Sequence, residues 1–157
     1  MKKLNWKTYL AWIAGVQAVG GLSAFLTRKG RMDYMTRVVQ PPLAPPPILF
    51  PIVWGTLYTL MGVSAARVWA SEESPERSLG LTLFTAQLAM NFCWSFLFFN
   101  RQIFGFALLW LIVMWGLILA MTVTFFKVDR PAGWMQIPYL LWVAFAIYLN
   151  YGVWKLN

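Results

Sequence analysis

The chain has 157 residues, of which 60% are hydrophobic, 18% aromatic and only 11% charged. Soluble domains carry about 25% charged residues, so the composition excludes a soluble globular fold, and the apolar content excludes intrinsic disorder. The net charge of +8 comes from Lys and Arg that lie between apolar runs and form no stripe, which argues against a nucleic-acid partner. Such an excess is typical of the lipid-headgroup boundary of a membrane protein.

The residue types that are missing narrow the chemistry further. The chain has no His and a single cysteine, Cys93, which excludes His-based triads, imidazole metal sites and an internal disulfide. We therefore expect no metal and no cofactor. The acidic residues all lie between apolar runs: Asp33, Glu72, Glu73, Glu76 and Asp129. Ion-driven pumps usually bury a carboxylate within the bilayer, so this placement argues against one.

Five long apolar stretches separate the charged segments, and each is long enough to cross a bilayer as a helix. The predicted spans are 7–27, 47–69, 78–100, 102–126 and 132–154, within a single domain of residues 1–157. The sequence thus predicts an all-α integral membrane protein, a five-transmembrane-helix bundle.

The connection between the first two spans, from Arg28 to about Pro46, is much longer than the others. Its Pro-rich part, residues 40–47, cannot form regular helix. Long ordered loops in compact domains are usually functional, so we predict a lid. The alternative is a passive loop that lies on the lipid headgroups. Basic residues are shared about equally between the two ends of the bundle, which leaves the membrane orientation open.

Small residues recur four positions apart along the spans. Such pairs allow close helix packing, which we expect mostly inside the bundle, with a dimer face as the alternative. The pairs are Ala11/Gly15, Gly20/Ala24, Ala89/Cys93 and Gly116/Ala120.

Ten tryptophans form the most unusual feature of the chain. Those near span ends fit the interfacial belt of a membrane protein. Five others lie well inside the spans, at roughly 9–20 Å from the loop end by helical rise: Trp54, Trp94, Trp110, Trp115 and Trp142. Asn91 adds a polar amide at a depth of about 14 Å. We expect these aromatics to converge below the loop and to suit a flat, hydrophobic, sparsely polar ligand; the alternative is aromatic core packing.

Three segments carry a family resemblance. They are Phe50–Gly62 with Val68-Trp69, Gln87–Trp94 with Phe98-Phe99, and Pro138–Ala146 with Leu149–Trp154. In order and spacing they resemble helices two, three and five of the translocator protein family, also called tryptophan-rich sensory protein or peripheral benzodiazepine receptor. The resemblance runs essentially from end to end.

The resemblance implies a five-helix bundle, commonly a homodimer, whose pocket is covered by the first loop. It implies as ligands porphyrins such as protoporphyrin IX, cholesterol in animal members, and benzodiazepine-type drugs. By position, Trp54, Asn91 and Trp142 match pocket residues, and the two tryptophans match those linked to porphyrin breakdown, which makes them the candidate catalytic residues.

Further positions complete the expected ligand site. Ala24, Phe50, Phe106 and Ala146 match drug-contact positions, although Phe106 replaces a Trp of animal members. Trp94 is expected to stack against the ligand. In the loop, Tyr34 and Leu43 replace two family Trp and Gln40 replaces a Lys; Tyr34 is kept as a ligand-contact candidate.

The last span ends in a pattern proposed for cholesterol, formed by Leu149, Tyr151 and Lys155. In this family the segment is assigned to cholesterol, so we keep the three residues as a candidate sterol site. A helix end with Tyr, Trp and Lys also reads as an ordinary interfacial anchor.

Three functions compete at this point. The first is a receptor-like membrane binder or sensor of tetrapyrroles and other flat hydrophobes such as sterols. The second is light- and oxygen-dependent porphyrin degradation. The chain has no conventional acid/base set, which argues against turnover by ordinary acid/base chemistry. Enzymatic activity of the light-dependent kind is left open. The third is a porphyrin or sterol transporter. The bacterial cell membrane is the expected location.

Overall fold

A computed structural model describes residues 4–157. It has six α-helices: α1 (Trp6–Leu26), α2 (Arg28–Arg37), α3 (Leu49–Ala70), α4 (Pro75–Ser95), α5 (Phe104–Val128) and α6 (Arg130–Leu156). A π-helical segment, Phe96–Asn100, continues α4. Over this described range no strand is present, and all the helices except α2 are long and apolar enough to cross a membrane. The predicted all-α fold with five spans is confirmed.

Polar caps set the starts of three spans. Asn5 accepts a hydrogen bond from the amide of Thr8 at the start of α1, and Ser74 accepts one from Arg77 ahead of α4. Asp129 caps α6 by accepting from the amide of Ala132. These caps lie at the ends of the apolar stretches, because a span must satisfy its first amides before it enters lipid.

The connection between the first two spans contains α2, a helix that was not predicted. Arg, Lys and Met are good helix formers, and the segment carries no proline before Pro41. The prolines between positions 41 and 47 then keep the rest of the connection irregular up to α3, as expected.

The helices form a ring in the order α1, α3, α6, α5, α4. Packing is most extensive where α5 meets α4 and α6 and where α1 meets α3; the seam between α1 and α4 is thin. Fully buried side chains from α3, α5 and α6 fill the centre, including Met61, Met121 and Tyr139.

The expectation that the small-residue pairs pack mostly inside the bundle is wrong. Only Gly20 does so: a β-carbon there would collide with the ring of Tyr58. The other members face outward: Ala11, Gly15, Ala24, Ala89, Cys93, Gly116 and Ala120. A spacing of four puts two residues on one helix face but does not say which face points inward, and here the larger side chains fill the interior.

Candidate functional site

Three aromatic side chains of α3 and α6 lie where these two helices pack together. We call Phe50, Trp54 and Trp142 the pocket group. The Phe50 and Trp142 ring centroids are 6.0 Å apart in an edge-to-face arrangement, and all three residues are half-buried. Phe50 and Trp54 share a face of α3 because they are four residues apart. The structure thus brings Phe50 and Trp142 into contact, with Trp54 one turn along α3 from Phe50.

Below this group a chain of hydrogen bonds crosses the bundle. The Tyr58 hydroxyl donates to Asn91 Oδ1 (3.0 Å), Asn91 Nδ2 donates to the Tyr139 hydroxyl (2.8 Å), and that hydroxyl donates to Gln87 Oε1 (2.6 Å). Trp54 packs on both tyrosine rings, at 5.3 Å from Tyr58 and 6.2 Å from Tyr139. Asn91 therefore lies at the floor of the pocket group, but its amide is already committed to two tyrosines.

Sequence reasoning did not single out Tyr58 and Tyr139, although both lie within the quoted motifs. A buried amide needs partners of its own, because an unpaired one costs free energy. The sequence signal for these partners is a hydroxyl side chain within one or two helical turns of a pocket tryptophan. It leads to Tyr58, four residues after Trp54, and to Tyr139, three residues before Trp142.

The indole N–H groups divide the five interior tryptophans into two classes. Trp94 Nε1 donates to Asn150 Oδ1, Trp110 Nε1 to the carbonyl of Met90, and Trp115 Nε1 to the carbonyl of Leu140. Within residues 4–157, Trp54 and Trp142 have no such acceptor. Their N–H groups are also not sealed off, since the fully enclosed unpaired side-chain atoms of this range are Gln87 Nε2 and Gln136 Oε1.

Trp94 belongs to a second aromatic group, which we call the anchor cluster: Tyr34, Trp94, Phe98, Phe99 and Phe104. Trp94 stacks on Phe98 with centroids 4.7 Å apart, and Tyr34 of α2 packs on Phe98 and Phe99 at 5.2 and 5.3 Å. Burial raises the pKa of Tyr34 to about 12. The aromatic side chains expected to form one layer thus form two separate groups, because residues at the same depth in the membrane can point in different directions around their helix axes.

Three more predicted contacts take separate positions. Ala24 is exposed on α1, where its carbonyl accepts a hydrogen bond from Arg31 (2.6 Å). Phe106 is 50% exposed and packs on Trp110 at 6.1 Å, on the outer side of α5. Ala146 is half-buried on α6, one turn beyond Trp142. Their role as ligand contacts stays a prediction, as does that of Tyr34 and Trp94.

The Pro-rich segment is fastened to the last turns of α6. Pro41 is buried against Gly152, where a β-carbon would collide with the proline ring. The Tyr148 hydroxyl donates to the carbonyl of Pro42 (2.8 Å). The Asn157 side chain pairs with Val39, accepting from its N–H (3.1 Å) and donating to its carbonyl (2.9 Å). The segment is thus held over the loop end of the bundle.

The candidate sterol residues lie on the outside of the same helix end. Leu149 is half-buried, Tyr151 is 48% exposed and Lys155 is exposed. The Lys155 ammonium lies 5.7 Å from the Tyr151 ring centroid and 4.6 Å from that of Trp154. A cation held over two aromatic rings at a helix end is the arrangement of an interfacial anchor.

An apolar groove of about 310 Å³ follows the thin seam between α1 and α4. Its lining includes Ala11, Trp12 and Gly15 of α1 and Phe84, Thr85 and Leu88 of α4. In the part of the chain that the structure describes, no three His, Cys, Asp or Glu side chains come together as a metal site.

Comparison with known proteins places these features in a family. Residues 11–155 match the TspO/MBR family. The chain is 37% identical over 141 residues to "Tryptophan-rich protein TspO" of Chlorobaculum tepidum, covering 89% of each chain. It is 33% identical over 154 residues to "Tryptophan-rich sensory protein" of Cereibacter sphaeroides, covering 98% of this chain and 94% of the relative. It is 38% identical over 120 residues to human "Translocator protein", covering 75% and 71%.

The family match includes both aromatic groups, the connection between α1 and α3, and all or most of each span. The spans make the chain an integral membrane protein, and bacterial relatives support the expected bacterial location. The resemblance inferred from the three motifs is confirmed: the chain belongs to the TspO/MBR family.

Proposed function

We propose that this protein binds flat hydrophobic ligands of the tetrapyrrole class, such as protoporphyrin IX, between the pocket group and the lid. The observation that carries the proposal is the pair of indole N–H groups without a protein acceptor. The other three interior tryptophans donate their N–H groups to oxygen atoms of the protein. Trp54 and Trp142 keep an N–H donor that no acceptor in the described chain uses.

The chemistry of the group suits such a ligand. Ring stacking against each indole contributes about 0.5–1.5 kcal/mol beyond burial. The exposed guanidinium of Arg37 is available to a propionate, whereas Arg31 already donates to Ala24 and Thr27. The hydrogen-bonded tyrosines below Trp54 form a rigid floor that stops the ligand from sinking into the bundle.

Titration of the detergent-solubilised protein with protoporphyrin IX in the dark, followed by tryptophan fluorescence, tests this proposal. Trp54→Ala and Trp142→Ala should each weaken binding roughly threefold to tenfold, because each removes one stacking partner. Trp6→Ala is the control, since Trp6 is 68% exposed at the start of α1. Equal weakening by the control variant would show non-specific partitioning and contradict the proposal.

The same titration under light asks whether the bound porphyrin is degraded. We propose the electron-rich indoles of Trp54 and Trp142 as the oxidisable partners in a light- and oxygen-dependent reaction. Porphyrin absorbance should then decay in the wild type and persist in Trp54→Phe with Trp142→Phe. That variant keeps aromatic stacking, so porphyrin that still binds but no longer decays separates turnover from binding. Equal decay in both proteins removes the two residues from any such reaction.

We propose further that residues 28–46 act as the lid of this site. The anchor cluster holds α2, and Gly152, Tyr148 and Asn157 hold the Pro-rich part. Deletion of residues 32–39 removes Tyr34 and the pairing with Asn157, and should accelerate dissociation of protoporphyrin IX. Circular dichroism checks that the bundle stays folded. An unchanged dissociation rate in a folded deletion variant contradicts the lid.

A homodimer is proposed through the outer faces of α1 and α4. Ala11, Gly15, Ala89 and Cys93 are exposed on these neighbouring helices, and small residues let helices of two copies approach closely. The single cysteine offers a direct readout, because a short bifunctional maleimide should join two copies at Cys93. Gly15→Leu should reduce this cross-linking, while Gly116→Leu, an exposed glycine on α5, should not.

A further inference from the structure

The outer face of the lid combines exposed apolar side chains with basic ones. Gly30 and Tyr34 turn the inner side of α2 towards the π-helical segment. Met32 and Met35, 69% and 53% exposed, lie on the opposite side by helical geometry. Beyond the helix, Val39 is 56% and Leu43 81% exposed. Nothing within residues 4–157 covers these four side chains.

The backbone at Leu43 adds a second observation. The amide of Ala44 bonds to the carbonyl of Pro41 (3.3 Å), and Leu43 has a φ of 70°. Pro42 at the second position and Leu43 with a positive φ at the third position are the features of a type II turn. Gly or Asn is the usual residue at that third position. A bulky residue held in this region is strained, and here the strain directs a large apolar side chain outward.

The level of this face relative to the bilayer follows from the contacts of α6. Trp154 and Lys155 mark the headgroup level at the end of that helix. Val39 is paired with Asn157, two residues beyond Lys155, and Pro41 packs on Gly152. The exposed side chains at positions 39 and 43 are therefore held at the depth where a bilayer changes from headgroups to acyl chains.

The loop end of the bundle is the more basic of its two ends. The loop end of the bundle carries six basic residues and one acid, Asp33, for a net charge of +5. The opposite end, counted from the full sequence with Lys2 and Lys3, carries seven basic and four acidic residues, for a net charge of +3. Lys29 and Arg37 are exposed and make no ion pair within residues 4–157. Basic residues flanking apolar ones are the pattern of a segment that lies in an anionic lipid surface.

We propose that the outer face of the lid is a docking surface for the bilayer itself. Met32, Met35, Val39 and Leu43 enter the interface, and Lys29 and Arg37 contact anionic headgroups. The contact needs no ligand in the pocket. Because Arg37 is also offered to a propionate of the tetrapyrrole, the experiments use protein without porphyrin, so that the two proposals fail separately. A lid held in this way responds to the lipid composition of its leaflet.

Spin labelling tests the depth of the face. A nitroxide is attached to Leu43→Cys in a Cys93→Ser background, in vesicles of phosphatidylcholine with or without phosphatidylglycerol. Accessibility to oxygen and to a nickel chelate is compared with two reference labels. Ile112→Cys faces lipid on α5, and Glu73→Cys faces water between α3 and α4. The label at position 43 should resemble position 112 in anionic vesicles and shift towards position 73 in zwitterionic ones or at high salt.

The charge contribution is tested by Lys29→Gln with Arg37→Gln. Each basic residue near an anionic surface contributes about fivefold to the equilibrium, so the ratio of lipid-inserted to water-exposed label should fall about 25-fold in anionic vesicles. Lys127→Gln with Arg130→Gln, at the opposite end, is the matched control and should leave the ratio unchanged. The proposal is overturned by a position-43 label that behaves like position 73 in both lipids, by an equal effect of the control pair, or by spin–spin broadening that places a second copy on this face.

Discussion

Trp94 and Trp54 are both half-buried indoles near the loop end, yet their surroundings differ. Trp94 is held on two sides, by the stacked Phe98 ring at 4.7 Å and by Asn150, which accepts its N–H. Trp54 is held only through its ring, which packs on two tyrosines. Its N–H has no acceptor in the described chain. The Trp94 indole of the anchor cluster thus has its hydrogen bond satisfied within the protein, whereas the Trp54 indole of the pocket group does not.

This contrast divides the five interior tryptophans more sharply than depth in the membrane does. A buried Trp usually finds a hydrogen-bond partner for its N–H. Trp94, Trp110 and Trp115 follow that rule. The two exceptions are Trp54 on α3 and Trp142 on α6, and Trp142 packs on Phe50, one helical turn before Trp54. Their N–H groups are the ones that remain available to a ligand.

The largest expected effect on stability is that of Trp94→Ala. It removes the stack on Phe98 and leaves Asn150 Oδ1 without its donor, so we expect a loss of about 3–5 kcal/mol in the free energy of unfolding. Trp54→Ala should cost less, because its N–H makes no bond within the protein. Thermal denaturation in detergent measures both. If Trp54→Ala proves the more damaging of the two, the contrast between the groups fails.

The next effect concerns the floor of the pocket group. Asn91→Leu leaves the Tyr58 hydroxyl without an acceptor and removes the donor to the Tyr139 oxygen, although Tyr139 still donates to Gln87, and this should cost about 2 kcal/mol. Adding Tyr58→Phe removes the hydroxyl that lost its acceptor, so the double variant should lose less than the sum of the two single losses. A double-mutant cycle on thermal stability measures this coupling. Strict additivity would mean that Asn91 does not act through Tyr58.

Much of the fold follows from the sequence because a bilayer leaves few choices. An apolar stretch of about 20 residues without a charge can only span as a helix, so five stretches predict five spans. The loop end was also identified, since residues 40–47 cannot continue a helix. The short helix α2 was missed, because its ten residues carry neither apolar periodicity nor a side-chain cap.

The site was predicted only in part, for a different physical reason. Helical rise gives depth, and motifs give residue types, but neither gives the direction of a side chain around its helix axis. Phe50 packs on Trp142, and Trp54 packs on Tyr58 and Tyr139, whereas Phe106 turns to the outside of α5. The hydrogen bonds between Val39 and Asn157 join residues 118 positions apart, and no pattern in the sequence near either residue predicts them.

Loosening the lid should have a smaller effect than either change above. Gly152→Ala places a methyl group against Pro41, and we expect overpacking to cost about 1–2 kcal/mol at this contact. The exposed α2 should then be cut by trypsin at Arg37 faster than in the wild type. Gly116→Ala is the matched control: it lies in a helix with open space around it, so its cleavage rate should not rise. Equal rates in both variants would mean that Gly152 does not hold the lid.

The smallest expected effect is a dependence of the anchor cluster on alkaline pH. Burial raises the pKa of Tyr34 to about 12 from the model-peptide value of 10.0, so the packed state favours the neutral phenol. A raised pKa contributes stability that is fully present below pH 10 and is lost as the pH approaches 12, because the phenolate must leave the Phe98 and Phe99 rings to be hydrated. A nitroxide on exposed Thr36→Cys, in the Cys93→Ser background, should become more mobile across this interval. Tyr34→Phe keeps the ring and removes the proton, so it should abolish the transition, whereas Tyr151→Phe, on the outside of α6, should leave it in place. A transition that persists in Tyr34→Phe assigns the alkaline loosening to another group.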